Sequence, residues 1–558
     1  MDNKTIARTF KLCSQLMELH NANPFRTKAV ASASFKIDKL SFSAAEASLE
    51  QLSSQPGIGN STAEKIKQIV DTGTFAELDA LLVKTPAGIL DMLKIKGLGP
   101  KKVQVIWQDL QIETVGELYY ACNENRLIEA KGFGLKTQED IKQAIEFTLA
   151  NQGWFLYAKL LPVAEKIFNH LSVNLPSNTL SYTGSFRRKC EILTHVEVIC
   201  AATLPELSTA IQNLNNEWNI EINENSISFQ DENNCPFIIY STTADHFASD
   251  LLLTTGSEEH LRLLQQIQNP MPLESSEEDI YRSLGLAYIE PELREGLNEI
   301  ELAKENNLPK LITFDDLKGT LHNHSTYSDG VHTLAEMARY CKENLNLQYL
   351  GICDHSRTAV YASGLSVEQV EQQWAEIDLL NQTMAPFKIF KGIESDILSD
   401  GSLDYPDDIL AQFDFVVASV HSNLKMDEER ATARLLKAIE NPYTTILGHP
   451  TGRLLLSRTG YPLDFKKIID ACAANNVVIE INANPLRLDL DWRWHRYALE
   501  KGVLLSINPD AHRTEGLLDM RYGVFVGRKG GLTKEQCLNA FSLDEISQYF
   551  KSKKMEPH

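Results

Sequence analysis

The chain has 558 residues, room for three or four domains, and 43% of them are hydrophobic, an ordinary share for globular protein. A formal net charge of −21 excludes coating of nucleic acid by the whole surface, while leaving room for focused phosphate sites and for carboxylates that bound cations offset. No apolar run is long enough to span a membrane, Met1-Asp2-Asn3-Lys4 leads into an amphipathic segment, and the nine cysteines are scattered with no C-x-x-C pair, so a reducing cytoplasmic setting without a membrane partner is expected.

Residues 1–150 read as helices punctuated by one repeated turn. Its copies are Pro56-Gly57-Ile58-Gly59-Asn60-Ser61-Thr62-Ala63-Glu64-Lys65-Ile66, Lys96-Gly97-Leu98-Gly99-Pro100-Lys101-Lys102-Val103 and Lys131-Gly132-Phe133-Gly134-Leu135-Lys136-Thr137. Each glycine pair permits a tight turn, and the helix that follows starts with free N–H groups that can hold a phosphate. A single Gly-x-Gly turn is commonly only a helix–helix connection. Three in one helical region resemble helix-hairpin-helix motifs, which grip the DNA backbone without reading sequence. The candidate DNA contacts are Gly57, Gly59, Lys65, Gly97, Gly99, Lys101, Lys102, Gly132 and Gly134. Lys94 and Lys96 add charge at the middle copy, and Glu129 opposes it at the third. Upstream, Asn23-Pro24-Phe25-Arg26-Thr27-Lys28-Ala29 resembles the N-P-F-R-x-x-A signature of family X DNA polymerases, where it belongs to the small domain that engages the downstream DNA end.

The next region extends that resemblance. Gly184-Ser185-Phe186-Arg187-Arg188 is similar to the G-S-x-R-R motif of the family X palm, so Gly184, Ser185 and Arg188 are expected at the triphosphate of an incoming nucleotide. The family continues with a D-x-D pair that binds two magnesium ions. On the matching strand, Thr194 to Cys200, His195 and Glu197 stand in those places. Imidazole is a poor magnesium ligand, and Glu moves the carboxylate by a methylene. The strand expected to carry a third aspartate, Pro236 to Tyr240, has no carboxylate. Leu253-Thr254-Thr255-Gly256-Ser257 resembles the Y-F-T-G-S segment of the nucleotide pocket with both aromatics replaced. Leu284-Gly285 through Pro291-Glu292-Leu293-Arg294-Glu295 resembles the segment that closes the polymerase part in bacterial family X proteins. The palm-like part is assigned to 151–235 and the thumb-like part to 236–310.

From 311 to 558 the pattern changes. His322 and His324 are two apart, so on a strand both imidazoles face one side, and Asp329 follows on a loop closed by Gly330. Short apolar runs then end, one after another, in ligand-type residues: Tyr349 to Cys353 before Asp354 and His355, Lys388 to Ile393 before Glu394, Phe413 to Val420 before His421, Thr445 to Gly448 before His449, Val477 to Ile481 before Asn482 and Asn484, and Val503 to Ile507 before Asp510 and His512. Helical patterns at Leu334–Glu343, Val367–Met384, Glu428–Ile439, Phe465–Ala474 and Trp492–Lys501 separate them. Repeated strand–helix units imply a parallel sheet, and functional groups of a β/α barrel gather at the C-terminal strand ends.

This set resembles the PHP (polymerase and histidinol phosphatase) domain. The resemblance implies metal ligation by His322, His324, Asp329, His355, Glu394, His421, His449, Asp510 and His512, with Pro509 where many members have Thr. It further implies one ion at His322, His324, Glu394 and Asp510, a second that Glu394 shares with His421 and His449, and a third at Asp329, His355 and His512. Imidazole and carboxylate without thiolate suit manganese, zinc or iron, up to three divalent ions in all. Glu394 and Asp510 are thereby catalytic candidates, and Arg357 and Arg453 are either phosphate clamps or ordinary surface arginines. His332 reads as an ordinary polar residue.

The fold expected is multidomain α/β: a helical helix-hairpin-helix region, an α+β family X palm and thumb, and a C-terminal PHP-type distorted β/α barrel. The function expected is a metal-dependent DNA-repair phosphodiesterase, a 3′–5′ exonuclease on gapped, nicked or free DNA ends, in a monomer whose polymerase half binds DNA but is catalytically impaired. The alternatives are an active gap-filling polymerase with an atypical metal site and a phosphatase on a small phosphomonoester.

Overall fold

A computed structural model describes residues 1–558 apart from 41, 96, 129, 151–152, 177–178, 232–233 and 556–558. Lys96 and Glu129, both invoked in the hairpin repeats, therefore lie outside the described residues. The chain divides into two compact units, Met1–Thr148 and Leu149–His558. Among the described residues no helix is long and apolar enough to cross a membrane.

The first unit is helical. Asn3–Leu19 buries Ile6, Phe10, Cys13 and Met17 at the spacing of one helix face. It packs beside Pro24–Asp38, where Ser34 Oγ donates to Ala7 O at 2.7 Å. Asn23 caps the second helix through Phe25 N and Arg26 N, with Pro24 in the first turn, where its missing N–H costs nothing.

The second unit begins with a small ladder of β1 (Phe155–Leu156) and β3 (Ile192–Leu193), which flanks β2 (Leu180–Thr183) in the chain. A mixed five-stranded sheet follows. It joins β2 to β4 (Val196–Cys200), β5 (Glu221–Ile222), β6 (Ser226–Gln230) and β7 (Pro236–Ser241) in the order β2-β4-β7-β6-β5. Helices between Phe247 and Lys304 keep their own apolar cluster around Leu252, Leu264, Ile280 and Tyr281.

Seven parallel strands then run side by side in chain order: β8 (Gly319–Thr320), β9 (Tyr349–Ile352), β10 (Lys388–Asp396), β11 (Phe415–Ser419), β12 (Ile446–Leu447), β13 (Val478–Asn482) and β14 (Leu505–Asn508). The first and last approach each other. Asn323 bridges Ala511, His324 N donates to Ala511 O at 2.9 Å, and Leu321 N donates to Asn508 Oδ1 at 3.2 Å, so the sheet is a nearly closed barrel. At the strands' N-terminal ends Tyr349, Phe390, Phe415, Ile446 and Val478 cluster with Ile546 and Phe550 of the helix Leu543–Met555. Phe550 stacks on Phe415 with ring centroids 5.0 Å apart. That end is filled with apolar side chains, which leaves the C-terminal end for polar groups.

Two details depart from the sequence reading. The first strand ends at Thr320, so His322 and His324 stand on an extended segment held by the Asn323–Ala511 bridge rather than within a strand. The span Trp492–Lys501 is a 3₁₀ turn, Trp492–Trp494, followed by a helix, His495–Glu500. Apolar packing runs continuously from the five-stranded sheet into the barrel's outer layer, so these parts share one core.

Candidate metal centre

The nine side chains named from the barrel's strand ends converge on one place. Glu394 is the hub. Its Oε1 lies 3.1 Å from His421 Nε2, 3.1 Å from His449 Nε2 and 3.4 Å from His322 Nε2. Its Oε2 faces His355 Nδ1 at 2.9 Å and His324 Nε2 at 3.7 Å. His322, His324 and Asp510 form a second group, with His324 Nε2 3.1 Å from Asp510 Oδ1. His324, Asp329, His355 and His512 form a third, with His512 Nε2 3.2 Å from Asp329 Oδ1. Two of these residues sit in the left-handed backbone region, His449 at φ +23° and Asp510 at φ +54°, a strain that surrounding hydrogen bonds hold in place.

Other carboxylates aim the histidines and shape their loops, and of these the sequence reading marked Asp354 but neither Glu480 nor Asp396. Glu480 Oε1 meets His322 Nδ1 at 2.7 Å, and Glu480 Oε2 accepts from His449 N at 2.7 Å. Asp396 Oδ1 meets His421 Nδ1 at 2.5 Å, which turns Nε2 toward Glu394. Asn508 and Asn482 donate to Glu480 at 3.1 Å and 3.2 Å. Asp354 accepts from Ser325 N, Ser325 Oγ and Ser328 Oγ and so shapes the loop that carries Asp329. Such outer partners fix the tautomer and orientation of ligating imidazoles. Asp396 could have been found, because it lies two residues from Glu394 on one strand and shares its face.

The electrostatics fit a cation. Burial opposes ionisation of Glu394, but His421, His322 and His355 outweigh it and hold its carboxyl well below the usual range. Burial likewise opposes charge on His322, yet Glu480, Asp510 and Glu394 push it well above 6.5. His421 rises to about 9 against its own burial, driven by Glu394 and Asp396. His324, in contrast, falls to about 3 because burial and the neighbouring His512 and His355 disfavour its proton. The carboxylates thus keep negative charge that needs positive partners, while at least one central imidazole stays neutral and able to ligate. His322 Nε2, His324 Nδ1, both His355 nitrogens and Glu394 Oε2 are buried and make no hydrogen bond. His355 Nδ1 and Glu394 Oε2 are 2.9 Å apart without hydrogen-bond direction, as expected of two ligands aimed at a common centre. Unsatisfied buried polar atoms are costly, and convergent ones are what a divalent ion satisfies. The donor set, imidazole and carboxylate without thiolate, fits that use.

The two arginines diverge. Arg453 is tied to Arg487 O, Leu488 O and Asp491, which commits its guanidinium to the loop after β13. Arg357 is more open, its side chain 56% exposed, with Nη2 3.2 Å from Asp404 O. His332 Nδ1 accepts from Thr514 N, a structural bond.

In the helical unit the first glycine of each repeat has positive φ: Gly57 +82°, Gly97 +92° and Gly132 +90°. Gly59 and Gly99 then cap Asn60–Thr72 and Pro100–Gln104 without any side-chain cap, which leaves the first N–H groups of those helices to outside acceptors. Gly134 O accepts from Gln138 N in the first turn of Leu135–Ala150. Lys101 is exposed, while Lys102 Nζ folds back to Gly97 O at 3.3 Å. Lys65 is engaged by Glu77 at 2.6 Å, and Glu77 also meets Arg26 at 2.9 Å. Lys36 lies against Gly57, a cation at the first turn that no sequence signal marked.

Comparison with known proteins agrees with this layout. Residues 1–75 match the model of the helix-hairpin-helix domain, and 89–146 match that of the SAM-like helix-hairpin-helix tandem. The "DNA polymerase/3′-5′ exonuclease PolX" of Bacillus subtilis is 34% identical over 574 residues, covering 99% of this chain and all of that protein. The chain belongs to the PolX family. Two probable phosphatases, from Thermoanaerobacter sp. and Acetivibrio thermocellus, are 28% and 26% identical over 42% of this chain and 94% and 95% of their own lengths.

Against the PolX relationship, the turn at Gly184 is notable for what fills it. Gly184 has φ +62° after β2, and Ser185 N donates to Glu197 Oε2 at 3.2 Å. A Cβ at Gly184 would fall 1.5 Å from that oxygen. Tyr240 OH donates to Glu197 Oε1 at 3.2 Å, and His195 Nε2 lies 3.6 Å from Oε2. Burial, then Glu197, pushes the Tyr240 phenol up to about 12. In the register of β4 and β7, Glu197 lies opposite Ile238, and β7 carries no carboxylate. Arg188 bonds Glu295 at 3.0 Å and Thr255 O at 2.6 Å, and Lys529 from the barrel side closes on the same Glu295.

Proposed function

We propose that this chain is a DNA-repair phosphodiesterase, a divalent-metal-dependent 3′–5′ exonuclease that trims gapped, nicked or free DNA ends with its barrel, and that its palm holds DNA without extending it. The convergence of five imidazoles on the two oxygens of one buried glutamate, Glu394, carries this reading. His322, His324, Glu394 and Asp510 would hold one ion, Glu394 with His421 and His449 a second, and Asp329, His355 and His512 a third. Manganese, zinc or iron bound there supplies Lewis acidity toward water and the phosphate oxygens.

The chain's own part is placement. Asp396 and Glu480 fix His421 and His322 so that the donors meet without rearrangement, which lowers the cost of reorganisation during reaction. Arg357, two residues beyond His355, has an exposed side chain able to meet a phosphate oxygen. The helix-hairpin-helix unit supplies uncapped helix N-termini for phosphates, which a small phosphomonoester would not need; the two phosphatase relatives match only 42% of this chain.

Loss of polymerisation is supported by the palm's chemistry. Its D-x-D places hold His195 and Glu197, and Glu197 occupies a backbone N–H at the turn expected to face the triphosphate. Arg188 is engaged by Glu295.

The test is release of the 3′-terminal nucleotide from labelled DNA, paired with elemental analysis of the purified protein. Metal retained by the parent and lost together with cleavage in Glu394→Gln is the expected result. Cleavage that persists in Glu394→Gln would overturn the assignment.

A further inference from the structure

The two margins of the barrel are joined by a residue that lies well beyond the last candidate ligand, His512, in the chain. The strand order β14-β13-β12-β11-β10-β9-β8 leaves β8 and β14 at opposite edges of the sheet. Buried backbone groups at such edges need partners from elsewhere. The 3₁₀ turn Leu538–Ala540 supplies them. Cys537 bridges Leu505 in parallel, and Asn539 O accepts from Lys318 N at 2.7 Å. The Asn539 side chain then spans the seam. Its Nδ2 donates to Gly319 O on β8 at 3.2 Å, and its Oδ1 accepts from Ile507 N on β14 at 2.7 Å.

The rest of that amide faces the metal centre. Oδ1 also accepts from Ser506 Oγ at 2.9 Å, and Nδ2 also donates to Asn508 Oδ1 at 3.1 Å. Both donors and both lone pairs of the amide are thereby used. Gly319 O can only accept and Ile507 N can only donate, so the amide has one allowed orientation. Asn508 inherits its own from it. Asn508 Oδ1 accepts from Asn539 and from Leu321 N, the latter at 3.2 Å, which leaves Nδ2 to donate to Glu480 Oε1 at 3.1 Å. Glu480 Oε1 meets His322 Nδ1 at 2.7 Å. Both ends of Asn508 therefore arrive at His322, one through the backbone of the preceding residue and one through the carboxylate on its ring. Asn539, Asn508, Glu480 and His322 are all fully buried, so bulk solvent does not compete for these bonds, and a linked series in such an interior is stronger than its members taken singly.

We propose that Asn539 is a positioning residue for the metal centre: by closing the seam in one amide orientation it fixes Asn508, and through Asn508 and Glu480 it sets the His322 imidazole toward the ion shared with His324, Glu394 and Asp510. The proposal rests on the reading of this centre as a metal site. The strand β8 ends at Thr320, two residues short of His322, so its ladder does not place this ligand. The hydrogen-bonded series does so instead.

The experiment titrates manganese into four metal-stripped, full-length proteins in a calorimeter: the parent, Asn539→Leu, Glu480→Gln and the double variant. Asn539→Leu keeps a similar volume and removes every side-chain hydrogen bond. It should weaken manganese binding by about 10–100-fold, the scale of an outer partner of a metal ligand. Because both residues act in one series, the double variant should bind no more weakly than Glu480→Gln alone. A residue that only supported the fold would add its own loss to that of Glu480→Gln. Excess manganese should also restore 3′-nucleotide release in Asn539→Leu, which it cannot do for a misfolded chain. Where Asn539→Leu fails to fold by circular dichroism, Asn539→Ser removes the amide in a smaller side chain and carries the same comparison. Parent-like affinity in a folded Asn539 variant, or losses that add in the double variant, would overturn the positioning role while leaving the metal centre intact. A parent that takes up no manganese would overturn the metal reading, and the positioning role with it.

Discussion

The chain holds two candidate sites, one in the barrel and one in the palm, and they treat their carboxylates in opposite ways. In the barrel, Glu394 and Asp510 are ringed by imidazoles, and His322 Nε2, both His355 nitrogens and Glu394 Oε2 are buried without a hydrogen bond. In the palm, Glu197 is satisfied by Ser185 N and Tyr240 OH. A carboxylate that spends its lone pairs on its own chain has little left for an ion. One whose neighbours are themselves ligands gains from an ion everything the chain withholds. The same contrast separates the arginines: Arg453 is consumed by backbone carbonyls, while Arg357 remains at the surface. Whether a residue type survives in a motif therefore says less about chemistry than whether its polar atoms are already used.

The contrast can be broken most severely at its centre. Glu394→Ala should abolish cleavage by more than the roughly 10–100-fold that outer partners of a metal site are worth, while Glu197→Ala should cut DNA at the parent's rate. Equal effects of the two changes, read as release of a labelled 3′-nucleotide, would erase the distinction. Next comes the partner that aims two histidines: Glu480→Gln should weaken metal affinity by about 10–100-fold in a calorimetric titration, because it disturbs His322 Nδ1 and His449 N together. A smaller effect is expected in the helical unit. Lys101→Ala should flatten the slope of log affinity against log salt by about one for duplex DNA without changing sequence preference. The smallest belongs to the palm, where Tyr240→Phe should lower stability in urea by about 1 kcal/mol for one lost hydrogen bond and leave cleavage alone.

Much of the barrel was legible because buried parallel strands read as continuous apolar runs. The runs beginning at Tyr349, Lys388 and Val477 lie on β9, β10 and β13, and the helix Leu334–Glu343 begins at its Thr333–Glu336 capping box. Ligand-type residues stood out because polar residues at the ends of such runs have few other reasons to be there. The first strand stops short because a bridge to Ala511, distant in the chain, takes over its pairing. Glu480 was illegible for a related reason. It sits inside an apolar run, and only the folded barrel shows that its side chain meets His322 from 158 residues away. The occupation of the Gly184 turn by Glu197 and the capture of Lys65 by Glu77 are likewise contacts of the folded chain, with no local spacing to announce them.

The central claim is that the barrel works and the palm does not, and one gel tests both halves. An end-labelled primer on a gapped duplex is incubated with manganese, with and without nucleotides, and resolved under denaturing conditions beside His324→Ala and Glu394→Ala. The expected result is a ladder of shortened primers that needs both residues and is indifferent to nucleotides. Primers that lengthen when nucleotides are added would contradict it and show that His195 and Glu197 still support transfer.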